Sequence, residues 1–170
     1  MRVIANLRSS LLLGVVTLTI LAGALRLNSQ AQAPAKAAFD QATAKRFAKL
    51  EKGLTGVALV GHFTETGKDS INPKSERYEL KSVKHVEADR WLFEARITYG
   101  EHDVTVPLTL PVKWAGDTPV ITVDNMGIPG LGLYTARVMI YADHYAGFWS
   151  GGDHGGHLFG VIERAEGNDE

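Results

Sequence analysis

The chain has 170 residues, no cysteine, 45% hydrophobic residues, and 18 Lys and Arg against 19 Asp and Glu. That length and composition fit one globular domain, not a fibrous or disordered chain. The missing cysteine removes disulfide scaffolds, thiolate zinc sites and thiol nucleophiles, and a net charge of −1 gives no electrostatic case for nucleic acid.

The first element is an export signal. Arg2 and Arg8 precede an apolar run from Leu11 to Leu25, and the small, polar stretch Asn28-Ser29-Gln30-Ala31-Gln32-Ala33 follows. Ser29 and Ala31 occupy the −3 and −1 positions of a cleavage site after Ala31. The apolar run is 15 residues long, short of the roughly 20 that span a bilayer. Cleavage is therefore expected, against the alternative of a retained N-terminal anchor. Removing residues 1–31 leaves 15 basic against 19 acidic residues, a net charge of −4. The expectation is an exported, periplasmic or secreted chain with no stable membrane insertion after cleavage and no nucleic acid partner. Residues 32–38 read as a flexible tether and 166–170 as a disordered tail, which leaves one domain over 39–165.

That domain opens with a short helix from Asp40 to Lys52. Phe39, Thr43, Phe47, Leu50 and Leu54 recur near helical spacing, Asp40 can cap the start and Gly53 can end it. Strands follow. Trp91, Phe93, Ala95, Ile97 and Tyr99 alternate with polar residues, and Val104, Val106, Leu108, Leu110, Val112 and Trp114 repeat the period of two. Gly100-Glu101-His102-Asp103 joins these two segments as a hairpin. Further strands are expected at 54–65, 76–86, 118–124, 131–141, 144–150 and 156–163, with turns at 67–69, 115–117, 124–127 and 151–156. No second helical stretch intervenes, so parallel crossovers are not expected. The pattern predicts an all-β fold, an antiparallel up-and-down barrel or rolled sheet of about eight strands. Pro107 and Pro111 delete amide donors on the same side of their strand. That strand should therefore pair fully on one side only, leaving the barrel open or bulged there.

Leu54-Thr55-Gly56 after a short helix, with Tyr145-Ala146-Gly147-Phe148-Trp149-Ser150 and Gly156-His157-Leu158-Phe159-Gly160-Val161-Ile162, resembles the calycin barrels, among them lipocalins and avidins. The segments Tyr99–Pro107, Val112–Val120 and Gly155–Gly160 resemble a group of uncharacterised exported bacterial proteins of planctomycete type. The first resemblance implies a small barrel that holds a ligand. The second implies export and a shared β fold, and carries no activity.

Candidate chemistry is sparse. Among the histidines His62, His85, His102, His144, His154 and His157, the last three converge only if a hairpin brings them together. Their spacing across a glycine-rich turn does not match a strand-borne zinc site, so no metal and no cofactor are expected. Glu101, His102 and Asp103 form the densest ionisable cluster, but neighbouring strand residues point to opposite faces. Gly151-Gly152-Asp153-His154-Gly155-Gly156 reads as a flexible hairpin loop, and no Gly-x-Ser-x-Gly or phosphate-loop pattern occurs.

The aromatic residues carry the main expectation. Trp91, Phe93, Tyr99, Trp114, Tyr134 and Trp149, with Phe159, fall on inward faces of several strands. They either fill the barrel or line a ligand pocket. His62 and Ser82 have the inward parity that would orient a ligand. The leading expectation is an exported, non-enzymatic barrel that binds a small apolar ligand or an envelope protein. The alternatives are a histidine-dependent, metal-assisted hydrolase or isomerase, and a structural or interaction protein of the cell envelope.

Overall fold

A computed structural model describes residues 38–66 and 72–164. The expected signal (1–31), all but the last residue of the tether and the tail (166–170) lie outside the described residues. Two compact units divide the chain between Lys45 and Arg46. Of the first, only the opening turns of a helix are described. The second, Arg46–Glu170, holds the rest of that helix and every strand.

The helix, α1 (38–54), is followed by β1 (Val57–Phe63), β2 (Lys74–Glu87), β3 (Arg90–Tyr99) and β4 (His102–Ala115). Then come β5 (Thr118–Ile128), β6 (Gly132–Tyr141), β7 (His144–Gly151) and β8 (His154–Arg164). All neighbours pair antiparallel in chain order, and β8 returns to β1 from Val57↔Arg164 to Phe63↔Leu158. The result is a closed eight-stranded up-and-down barrel.

The prolines leave their mark within that closure. β4 pairs with β3 without a break from His102 to Pro111, but with β5 only over Val112↔Ile121 to Ala115↔Thr118. The Val112 amide donates to the Asp89 carbonyl on the β3 side (2.8 Å). Amides alternate along a strand, so the nitrogens of Pro107 and Pro111 face β5, where the ladder is absent. The expected one-sided pairing is present as a seam in a closed barrel. On its inner side the Tyr99 and Tyr134 hydroxyls meet at 3.1 Å, linking β3 to β6 across the two strands between them.

α1 ends later than expected. Thr55 still donates to the Glu51 carbonyl (3.0 Å), and Gly56, at φ +72°, turns the chain into β1. Its last turns cover one end of the barrel, where Leu50 and Leu54 are buried. Burying two leucines stabilises the unit by roughly 4 kcal/mol before entropic costs. β1 leaves β2 at Val57↔Leu80, so the later part of β2 has no strand on that side. The helix supplies partners instead: the Val83 amide donates to Thr55 Oγ1 (3.0 Å) and the His85 amide to Glu51 Oε1 (2.7 Å).

Two turn expectations change. Residues 124–127 do not end β5, which runs on to Ile128 through a bulge. Asn125 adopts φ +45° and its amide donates to Thr135 Oγ1 (2.9 Å), a local solution open to asparagine. Gly155 and Gly156 are ladder residues of β8 and not loop residues. A Cβ on Gly156 would overlap the Thr64 carbonyl, so glycine there serves close approach.

Candidate functional site

The interior is not filled. A cavity of about 560 Å³ lies inside the barrel. Leu80, Phe93, Leu110, Ile121 and Val138 form its floor, above the helix-covered end. At the other end it reaches Gly100, Glu101 and His102 of the β3–β4 turn, all exposed, together with Leu131 and His154. Among the described residues the cavity therefore opens at the end built from the β3–β4, β5–β6 and β7–β8 turns, where Glu65 and Lys74 of the β1–β2 connection also reach it.

Four of the six expected ligand residues share this space: Phe93, Tyr99, Tyr134 and Trp149 line the cavity. Trp91 and Trp114 also point inward but sit at the helix-covered end. There Phe47 meets Trp91 edge-on (5.1 Å between centroids) and stacks on Trp114 (6.0 Å). The Arg46 guanidinium lies 4.5 Å from the Trp114 ring and donates to the Gly116 carbonyl (3.3 Å). These two tryptophans close the bottom of the barrel and do not reach the cavity.

Three inward expectations are reversed. In β1 the inward set is Leu59, Gly61 and Phe63, so His62 points out, 6.3 Å from the ring of Phe159. Phe159 is itself on the outer face, since Leu158 and Gly160 take the inward positions of β8. Ser82 donates to Glu94 on the outside (2.7 Å) because a register shift between Leu80 and Ser82 changes the parity of β2.

The polar centre of the cavity is one that sequence reasoning missed. Glu76, on β2, lines the cavity and is only 4% exposed. Tyr78 donates to its Oε2 (2.8 Å), and Tyr145, from β7, donates to its Oε1 (2.9 Å). Tyr145 reaches Glu76 because Gly61 and Gly160 leave the wall bare. A Cβ on Gly160 would come 2.6 Å from the Tyr145 ring, and one on Gly61 2.5 Å from its hydroxyl. Among the described residues no Lys or Arg forms an ion pair with Glu76; Lys74, nearer the rim, pairs with Glu65 (3.0 Å).

Burial governs the protonation of this group. It raises the Glu76 carboxyl above its ordinary value, against the pull of the two tyrosine hydroxyls and of His62. Burial also pushes Tyr78 and Tyr145 well above the ordinary phenol range, with Glu76 adding to the effect. Tyr99 is raised by burial and by its bond to Tyr134. A sequence signal for the centre did exist: Glu76, Tyr78 and Leu80 share one face at period two, a carboxylate on an otherwise apolar face.

The other candidate clusters come apart. Asp103 is engaged on the outside with Arg96 (2.6 and 2.8 Å), which holds its carboxyl below the usual range, while His102 lies against Tyr99 at the rim. His144 and His154 occupy opposite ends of the barrel, and His157 packs on Phe148 outside. Among the described residues no three His, Asp or Glu side chains gather as metal ligands. No family model, no curated protein and no solved structure matches this chain.

Proposed function

We propose that this chain is an exported, non-enzymatic binding module that takes a small, mainly apolar ligand into the barrel through the end opposite α1. The observation that carries the reading is the cavity of about 560 Å³, walled by aliphatic and aromatic side chains. That volume lies within the roughly 300–1,000 Å³ range of small-molecule sites, and an apolar wall with few polar groups is their usual make-up. Export rests on the basic start, apolar run and small-residue cleavage site of residues 1–31.

Titration of the exported form with an environment-sensitive apolar fluorophore tests the reading, with native mass spectrometry for stoichiometry. The expected result is saturable one-to-one binding. It should be lost in Ala95→Phe or Ala136→Phe, which put a ring into the cavity while circular dichroism stays barrel-like. An unresponsive fluorophore and no bound species in the mass spectrum would overturn it.

A further inference from the structure

We propose that the ligand is a cationic amphiphile: an apolar body that fills the lower barrel and carries a protonated amine seated on Glu76. The inference rests on the binding reading above and specifies its chemistry.

Three observations lead there. First, a carboxylate has about four lone-pair directions, and Tyr78 and Tyr145 use one on each oxygen. Glu76 lines the cavity, so acceptor capacity remains toward the space a ligand would occupy. Second, among the described residues Glu76 is bonded by two neutral phenols and by no cation. Its own strand offers Tyr78, and Lys74 two residues toward the rim, which is engaged by Glu65 (3.0 Å); β3 offers Tyr99 and β7 offers Tyr145, both neutral. β1 offers His62, which points outward and acts on Glu76 through space, without a hydrogen bond. Among the described residues the rim carries Glu65 with Lys74, Glu101, and the imidazoles of His102 and His154. Third, the surroundings below Glu76 are Leu59, Leu80, Ala95 and Ile97, which solvate no charge.

A buried carboxylate that accepts two hydrogen bonds but has no counter-charge is stable only in part. An ammonium group completes it with charge-assisted bonds, shorter and stronger than neutral ones. A hydroxyl would fill one acceptor position without balancing charge, and a second carboxylate would repel. The apolar floor then selects an alkyl or aryl body over a small amine.

The test uses three probes with one chain: dodecylamine, dodecanol and dodecanoate, each displacing the apolar fluorophore below its micellar concentration. The amine is expected to bind at least tenfold more tightly than the alcohol, with dodecanoate weakest. In Glu76→Gln the amine advantage should vanish while dodecanol still displaces the fluorophore, which also shows that the variant is folded. Where that variant does not fold, Tyr145→Phe replaces it. Removing one donor leaves a less satisfied carboxylate, so the ratio of amine to alcohol affinity should rise. An amine no better than the alcohol, a preference that survives Glu76→Gln, or an unchanged ratio in Tyr145→Phe would overturn the proposal and leave the apolar cavity standing. Failure of all three probes and of the fluorophore would instead remove the binding reading itself.

Discussion

Glu76 couples the cavity to pH. Its folded-state carboxyl titrates above the ordinary value of 4.5 because burial penalises the charge. Between the unfolded and folded values the native state keeps a proton that the unfolded chain has released. Stability from this group is therefore full below pH 4.5 and declines as pH rises toward the folded value. Glu76→Gln should flatten that decline, measured as urea midpoints from about pH 4 to about pH 8. The tyrosines act at the other extreme: Tyr78, Tyr99 and Tyr145 are all held above 10.0. Absorbance titration should show three phenols that ionise only as the barrel unfolds, with stability falling once unfolded tyrosines lose their protons. Backbone strain is a separate matter. Ala142 turns β6 into β7 at φ +51°, a left-handed conformation that costs a non-glycine residue about 1–2 kcal/mol. Ala142→Gly should raise stability by about 0.5–1 kcal/mol, read as a shift in the denaturation midpoint.

Among the elements, β4 and α1 have the clearest consequences. The seam predicts a pattern of amide exchange within one strand. Val106, Leu108 and Leu110 point their amides to β3, while those of Thr105 and Thr109 face β5, where no ladder exists. Thr105 and Thr109 should exchange much faster than their even-numbered neighbours, and equal protection along β4 would refute the seam. α1 is a stopper as well as an edge cover. Leu54, the last residue of α1, is 2% exposed, so Leu54→Ala should cost about 2–5 kcal/mol by the usual core-truncation range. The elements themselves were legible because their signals are local. Alternation in β3 and β4 needs only a few neighbours, and the proline pair foretold one-sided pairing from its own spacing. What escaped were parity changes: the shift after Leu80 put Ser82 outside, and the bulge at Asn125 let β5 run on.

For the whole molecule, the decisive fact is that eight strands enclose more volume than their side chains occupy. Whether inward aromatics fill a barrel or line a space depends on closure, and no single segment encodes that. Trp91 and Trp114 belong to the same alternating pattern as Phe93, yet the helix claims them and the cavity claims Phe93. Glu76 and Tyr145 lie 69 residues apart and meet only because β8 closes on β1. A hollow centre is also a reservoir of stabilisation. A bound molecule at 100 times its dissociation constant should add about 2.7 kcal/mol to unfolding, a rise in melting temperature with ligand concentration.

The pair of glycines beneath the Tyr145 ring has a consequence for how such a barrel keeps its preference. Gly61 and Gly160 touch no ligand, yet they decide whether a phenol from one side of the wall reaches an acid three strands away. A single methyl at either place would meet that ring and, closer still, the facing backbone carbonyl, that of Phe159 from Gly61 and that of Val60 from Gly160. The polar centre of the pocket thus depends on two places that must stay without a side chain, and that no guest would meet.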